Sequence, residues 1–142
     1  MFVRNLNVFV ACLIVAGMTV AGPVALFVSV ILRPGLGDRG AGGYIYALTY
    51  GVLAAILAFF WWKGGLSPVI RRPEREGRFN TGHNVLGVTN ILAIAAIAGP
   101  ILMANASGDS NLAMLAWLAL PVYAVGFIAW PAGLFMVWSA RA

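Results

Sequence analysis

Residues 44–63 read YIYALTYGVLAAILAFFWWK. From Tyr44 to Trp62 this stretch holds no Asp, Glu, Lys, Arg or His, and a helix that crosses a bilayer needs about 20 mostly apolar residues. Tyrosines stand at one end and Phe59-Phe60-Trp61-Trp62-Lys63 at the other, as aromatic and basic side chains do at the two membrane interfaces. The stretch predicts a transmembrane helix. Three further runs, 8–32, 85–104 and 112–138, are likewise free of charged residues and histidine. The first and last are long enough to tilt or to extend past the hydrocarbon. The expected fold is an all-α membrane protein, a single four-helix transmembrane domain over residues 1–142. The expected connections are 33–43, 63–84 and 105–111, the first two rich in the turn-formers Gly or Pro.

Composition agrees. The chain is 62% hydrophobic and 9% charged, with mean hydropathy +0.93, whereas a soluble domain carries about 25% charged residues. Its net charge of +5 does not point to nucleic acid, because the cations sit in short segments between apolar runs rather than along one helix face. In a membrane protein such segments set orientation. The N-terminus, middle connection and C-terminus carry Arg4, Lys63, Arg71, Arg72, Arg75, Arg78 and Arg141; the opposite side carries Arg33 and Arg39. Basic segments resist translocation, so both termini are expected in the cytoplasm and the chain in a bacterial inner membrane. Arg4 followed by an apolar run has the shape of a signal peptide. However, Pro23 follows the candidate small-residue site Val20-Ala21-Gly22 and the run stays apolar to Leu32, so a retained helix is expected. The lone Cys12 forms no intrachain disulfide and no multi-cysteine metal site.

A shift of 77 residues superposes parts of the two halves without a gap. Asn7-Val8 falls on Asn84-Val85, Ala21-Gly22-Pro23 on Ala98-Gly99-Pro100, Tyr46-Ala47 on Tyr123-Ala124 and Trp61 on Trp138. With Ile14, Ala16, Ala55 and Leu57 this gives 12 matches in 55 positions, and the scarcer Asn, Gly, Pro, Tyr and Trp are among them. Duplication of a two-helix hairpin is the expectation, its copies parallel about an axis along the membrane normal. Pro23 and Pro100 each remove the hydrogen bond to the carbonyl four residues earlier, and Pro131 adds a third such kink. Gly22 and Gly99 beside them admit close approach of another backbone. These four positions are candidate contacts to lipid or a partner helix, weighed against a plain packing kink.

Few polar groups lie in the spans: Thr19, Ser29, Thr49, Thr89, Asn90 and the tyrosines. Hydroxyls can bond back to their own helix. Asn90 cannot be satisfied so easily and is the best candidate for a specific interhelix contact. The middle connection interleaves Arg71, Arg72, Arg75 and Arg78 with Glu74 and Glu76. It reads as an orientation signal touching anionic lipid headgroups, or as a docking loop using the bidentate geometry of Arg. His83, the single histidine, is expected at the interface among headgroups. Asn105-Ala106-Ser107 fits a glycosylation sequon very close to a helix end, and Asp109 is expected to cap the start of the fourth helix.

Transporters of charged substrates place ionisable residues within their spans. In size and helix count the chain resembles the small multidrug exporters, but the membrane-embedded carboxylate of their first helix is missing here. No catalytic constellation is legible, and no cofactor is expected. The expected function is a non-catalytic membrane subunit that packs against larger subunits of a membrane complex, respiratory or otherwise bioenergetic. The alternative is a self-associating transporter or channel for neutral, amphipathic or lipid-like molecules.

Overall fold

The computed structural model describes residues 1–36, 40–109, 111, 114, 115, 117 and 119–141, with the backbone alone at 33–36. Among the described residues, four helices are long and apolar enough to cross a membrane. Helix α1 covers 2–36 in three consecutive pieces, an α-helix Phe2–Ala16, a π-turn Gly17–Ala21 and an α-helix Gly22–Leu36. Helix α2 is Ala41–Trp61, a π-turn Trp62–Leu66 and a short α-helix Ser67–Arg71. Helix α3 is Glu76–Ser107, and α4 is Ala119–Trp138 with a 3-10 turn Ser139–Arg141.

Both π-turns end one residue before a residue-proline pair. Gly22 N–H reaches back five residues to the Gly17 carbonyl before Pro23, and Ser67 N–H reaches the Trp62 carbonyl before Pro68. A proline ring collides with the carbonyl four residues earlier, and one extra residue in the preceding turn moves that carbonyl aside. Pro100 and Pro131 sit inside α3 and α4 without such a turn. The equivalence expected of Pro23 and Pro100 therefore does not extend to the backbone.

The expected middle connection 63–84 is corrected. Helix α2 continues to Arg71, only residues 72–75 break the helical path, and α3 begins at Glu76. The reason is burial: Leu66, Ser67, Val69 and Ile70 on one side of the break, and Phe79 and Gly82 on the other, pack into the bundle. Their helical spacing outweighs the Gly, Pro and Arg that read as a loop. The first helix likewise starts at Phe2 rather than at residue 8 and continues through Leu36. Helix α3 ends at Gly108, whose φ of 72° is left-handed and whose N–H closes on the Ala104 carbonyl at 3.0 Å. Asp109 accepts the Asn111 N–H at 2.9 Å. The expected start of the fourth span, Leu112, lies outside the described residues.

The chain termini and residues 72–75 share one end of the bundle. There Glu74 and Arg75 N–H both donate to the Ala140 carbonyl, at 3.0 and 2.9 Å, and Arg4 lies over the Phe79 ring. In that half, α1 packs against α2, α3 and α4. Beyond its π-turn, α1 packs mainly against α2, while α3 and α4 pack on each other.

Candidate functional site: a polar chain and a lateral groove

The site begins with a polar residue that cannot satisfy itself. Asn90 is buried on α3 and hydrogen-bonded to two other helices. Its Nδ2 donates to the side-chain oxygen of Asn7 at 2.6 Å and to the Asn7 backbone carbonyl at 3.0 Å. Its Oδ1 accepts the indole N–H of Trp130 at 2.9 Å. Asn7 in turn uses its Nδ2 toward the Nδ1 of His83 at 3.1 Å and the His83 carbonyl at 3.0 Å. One chain of bonds thus runs Trp130–Asn90–Asn7–His83 and ties α4, α3 and α1 together.

Its direction is fixed chemically. An indole N–H can only donate, so Asn90 must present oxygen to Trp130 and nitrogen to Asn7. Asn7 then presents oxygen to Asn90 and nitrogen to His83. The His83 Nδ1 is left as an acceptor, which places the ring proton on Nε2 of a neutral imidazole. His83 also lies parallel to Phe79, with ring centroids 6.3 Å apart, and Arg4 covers Phe79 at 5.2 Å. His83 is half-buried, and its Nδ1 has a partner inside the chain that the expected interfacial histidine did not include.

Close helix approach surrounds this chain of bonds. A methyl group at Gly82 would meet the Met136 Cβ at 2.8 Å and the Gly133 carbonyl at 2.9 Å. One at Gly133 would meet the Leu86 side chain at 2.7 Å. Helices α3 and α4 cross here nearly backbone to backbone, with Leu86, Trp130 and Val137 fully buried around the crossing. On the other side Gly17, at the start of the α1 π-turn, faces the Tyr50 ring of α2 so closely that a methyl there would collide with it. None of Gly17, Gly82 and Gly133 stands out among the chain's 17 glycines. Asn7 and Trp130 both bond to Asn90, which lies 83 and 40 positions from them in sequence.

The remaining predicted positions lie elsewhere. Pro23 is exposed, and Gly22, Gly99 and Pro100 are half-buried. No atom of a neighbouring helix lies within 4 Å of a methyl added at Gly22 or Gly99, so neither supports a close approach within the chain. Arg71, Arg72, Arg75 and Arg78 are exposed around the 72–75 break. Thr19, Ser29 and Thr89 bond back to carbonyls of their own helices. Among the described residues one buried side-chain donor has no acceptor, the indole N–H of Trp62.

A second feature lies on the flank of the bundle. Between α2 and α4, at the end that carries the termini, a groove of about 460 Å³ opens sideways. Cys12 of α1 lines it from the interior, Phe60 and Gly64 stand on one wall, and Leu134, Phe135 and Trp138 stand on the other. Arg78 lies over the Phe135 ring at 5.8 Å and Arg141 over the Trp138 ring at 5.6 Å. Arg141 also donates to the Gly65 carbonyl at 2.8 Å, tying the end of α4 to the π-turn of α2. No family model, curated protein or solved structure matches the chain.

Proposed function

We propose that this chain is a non-catalytic integral membrane subunit whose helices pack against larger subunits of a membrane complex, respiratory or otherwise bioenergetic, in a bacterial inner membrane. One observation carries the reading. Gly43, Ala47, Gly51 and Ala55 recur every fourth residue along α2 and are all exposed, and a methyl at Gly43 or Gly51 would meet nothing within 4 Å. In lipid, small residues at this spacing let a second helix approach closely, so that van der Waals contact drives association. The chain's own helices leave this face uncovered. The half-buried Gly22, Gly99 and Pro100 and the exposed Pro23 offer further contacts to a partner or to lipid. The exposed Arg71, Arg72 and Arg75 suit anionic headgroups.

The basic bias supports termini in the cytoplasm, and the matched residues of the two halves support descent from one duplicated hairpin. Orientation is tested with Cys12→Ser as background. An impermeant maleimide added to spheroplasts is expected to label Asp109→Cys and to spare Gly77→Cys; the reverse pattern inverts the assignment.

The subunit reading is tested by extraction in mild detergent and native mass spectrometry. Co-purification in fixed ratio with larger membrane proteins is expected, and Gly51→Leu is expected to release them while the chain keeps its helix content. A stable assembly of this chain alone, unchanged by Gly51→Leu, would sink the reading and favour the self-associating transporter.

A further inference from the structure

We infer that the groove between α2 and α4 is a specific site for one anionic phospholipid, independent of the subunit reading. Its apolar walls take an acyl chain, and its mouth takes the phosphate. The walls are aliphatic, aromatic or glycine, with Cys12 behind them, and the volume falls within the range of about 300–1,000 Å³ common to small-molecule sites. What selects a lipid is the order of groups along the groove. From Leu134 through Trp138 to Arg141, α4 passes from apolar to interfacial to cationic, and α2 does the same from Phe60 to Lys63. Tryptophan and basic residues collect where headgroups lie, so a tail would extend toward Phe60 and Leu134 while the phosphate stays beside the cations.

Charge complementarity selects an anion. Two of the groove's own aromatic walls, Phe135 and Trp138, each carry a guanidinium on one face, from Arg78 and Arg141, and Lys63 lies over the neighbouring Trp62 at 5.3 Å. Glu74 and Glu76, the acids at this end, are exposed, and the described structure pairs neither with these cations. Arg141 uses one donor on the Gly65 carbonyl. A guanidinium has five N–H donors in a planar fork suited to phosphate oxygens, so most of its capacity faces outward. Gly64 lines the groove, and a methyl added there meets nothing within 4 Å. A side chain at that position would occupy the tail's space without displacing protein.

The test is native mass spectrometry of the full chain released from nanodiscs of equal phosphatidylglycerol and phosphatidylcholine. One retained phosphatidylglycerol per chain is expected, favoured at least about tenfold over phosphatidylcholine, since each basic residue near a lipid phosphate changes binding by about fivefold. Gly64→Leu is expected to lower retention about tenfold at unchanged helix content. The Arg78→Gln/Arg141→Gln double variant is expected to bring the two lipids close to parity. Arg71→Gln/Arg72→Gln/Arg75→Gln, which removes three exposed charges that do not line the groove, is expected to weaken the diffuse attraction to the anionic headgroup layer but to leave the one retained phosphatidylglycerol within twofold of wild type. Equal retention of both lipids by wild type would overturn the site. So would full retention by Gly64→Leu, or an equal loss with the distal arginine variant, which would mean diffuse surface attraction. Replacement of the lipid by a co-purifying protein that is lost in Gly64→Leu would assign the groove to a partner helix instead. Should Gly64→Leu fail to fold, the comparison of the two arginine variants decides alone.

Discussion

The half of the bundle near the termini and the half beyond the α1 π-turn are assembled by different means. Near the termini, large side chains are fully buried: Val8, Phe79, Leu86, Trp130 and Val137. The glycine crossing of α3 and α4 and the Trp130–Asn90–Asn7–His83 chain of bonds lie among them. Beyond the π-turn the buried side chains of α1 among the described residues are Ala25 and Ser29, and α3 has no buried residue from Ile94 to Ser107. Within lipid there is little hydrophobic force to press one helix on another, and cohesion comes from close packing and hydrogen bonds. The first half has both. The second half has two hairpins that mostly keep to themselves and leave much apolar surface uncovered by the chain.

The sharpest way to break this contrast is to change one helix at both ends. Gly82→Val puts branched carbon against the Gly133 backbone, where even a single methyl does not fit, and overpacking of this kind costs about 3 kcal/mol. A large drop in unfolding temperature in mild detergent is expected, together with loss of the α3–α4 contact. Unchanged stability would mean that the two glycines do not meet.

Asn90→Leu comes next. It keeps the volume roughly constant but strands the Trp130 N–H and the Asn7 oxygen, and interhelical bonds in membranes contribute about 0.6–1.7 kcal/mol each. A loss of about 2 kcal/mol is expected by the same unfolding measurement. Trp130→Phe, which leaves Asn90 Oδ1 without its donor, is expected to combine with Asn90→Leu less than additively. Strict additivity would mean that the two side chains do not share a bond.

Acidification acts on the same chain of bonds from its exposed end. Its polarity requires His83 Nδ1 to accept, and a protonated imidazole turns that acceptor into a donor facing the Asn7 amide. Partial burial, with Arg4 nearby, holds His83 below its ordinary range, so stability is expected to be full above about pH 6.5, the unfolded value, and to fall by about 1 kcal/mol as pH drops below it. His83→Gln is expected to flatten this dependence, because an amide does not titrate there. A pH profile that survives His83→Gln would move the effect to another group.

The smallest effect is expected in the far half. Gly99→Ala on the same helix α3 adds a methyl that meets nothing within 4 Å. It is expected to leave stability unchanged or raise it by about 0.5 kcal/mol through helix propensity. A loss comparable to that of Gly82→Val would erase the distinction between the halves.

Much of the architecture was legible from local chemistry. Uninterrupted apolar length marks a helix in a bilayer regardless of what surrounds it, so the four helices could be counted from residues such as 44–62 alone. Asn90 could be singled out because an amide in hydrocarbon needs a partner wherever it lies. Helix ends were less legible. Gly64, Gly65, Pro68 and the arginines read as a connection, yet burial of Leu66, Val69, Ile70 and Phe79 keeps 63–71 and 76–84 helical. Local propensity is weak, and tertiary burial overrides it.

That the chain forms four apolar helices with charge gathered at their ends follows from length, hydropathy and charge, which act residue by residue. Which of 17 glycines carry the helix crossings, which indole meets Asn90, and that α2 and α4 leave a groove walled on one side by two arginine-covered rings emerge only from the packing of the helices. Each of these depends on the rotation and crossing of helices joined far apart in the chain, and apolar periodicity in a membrane leaves that rotation open because lipid solvates every face almost equally well.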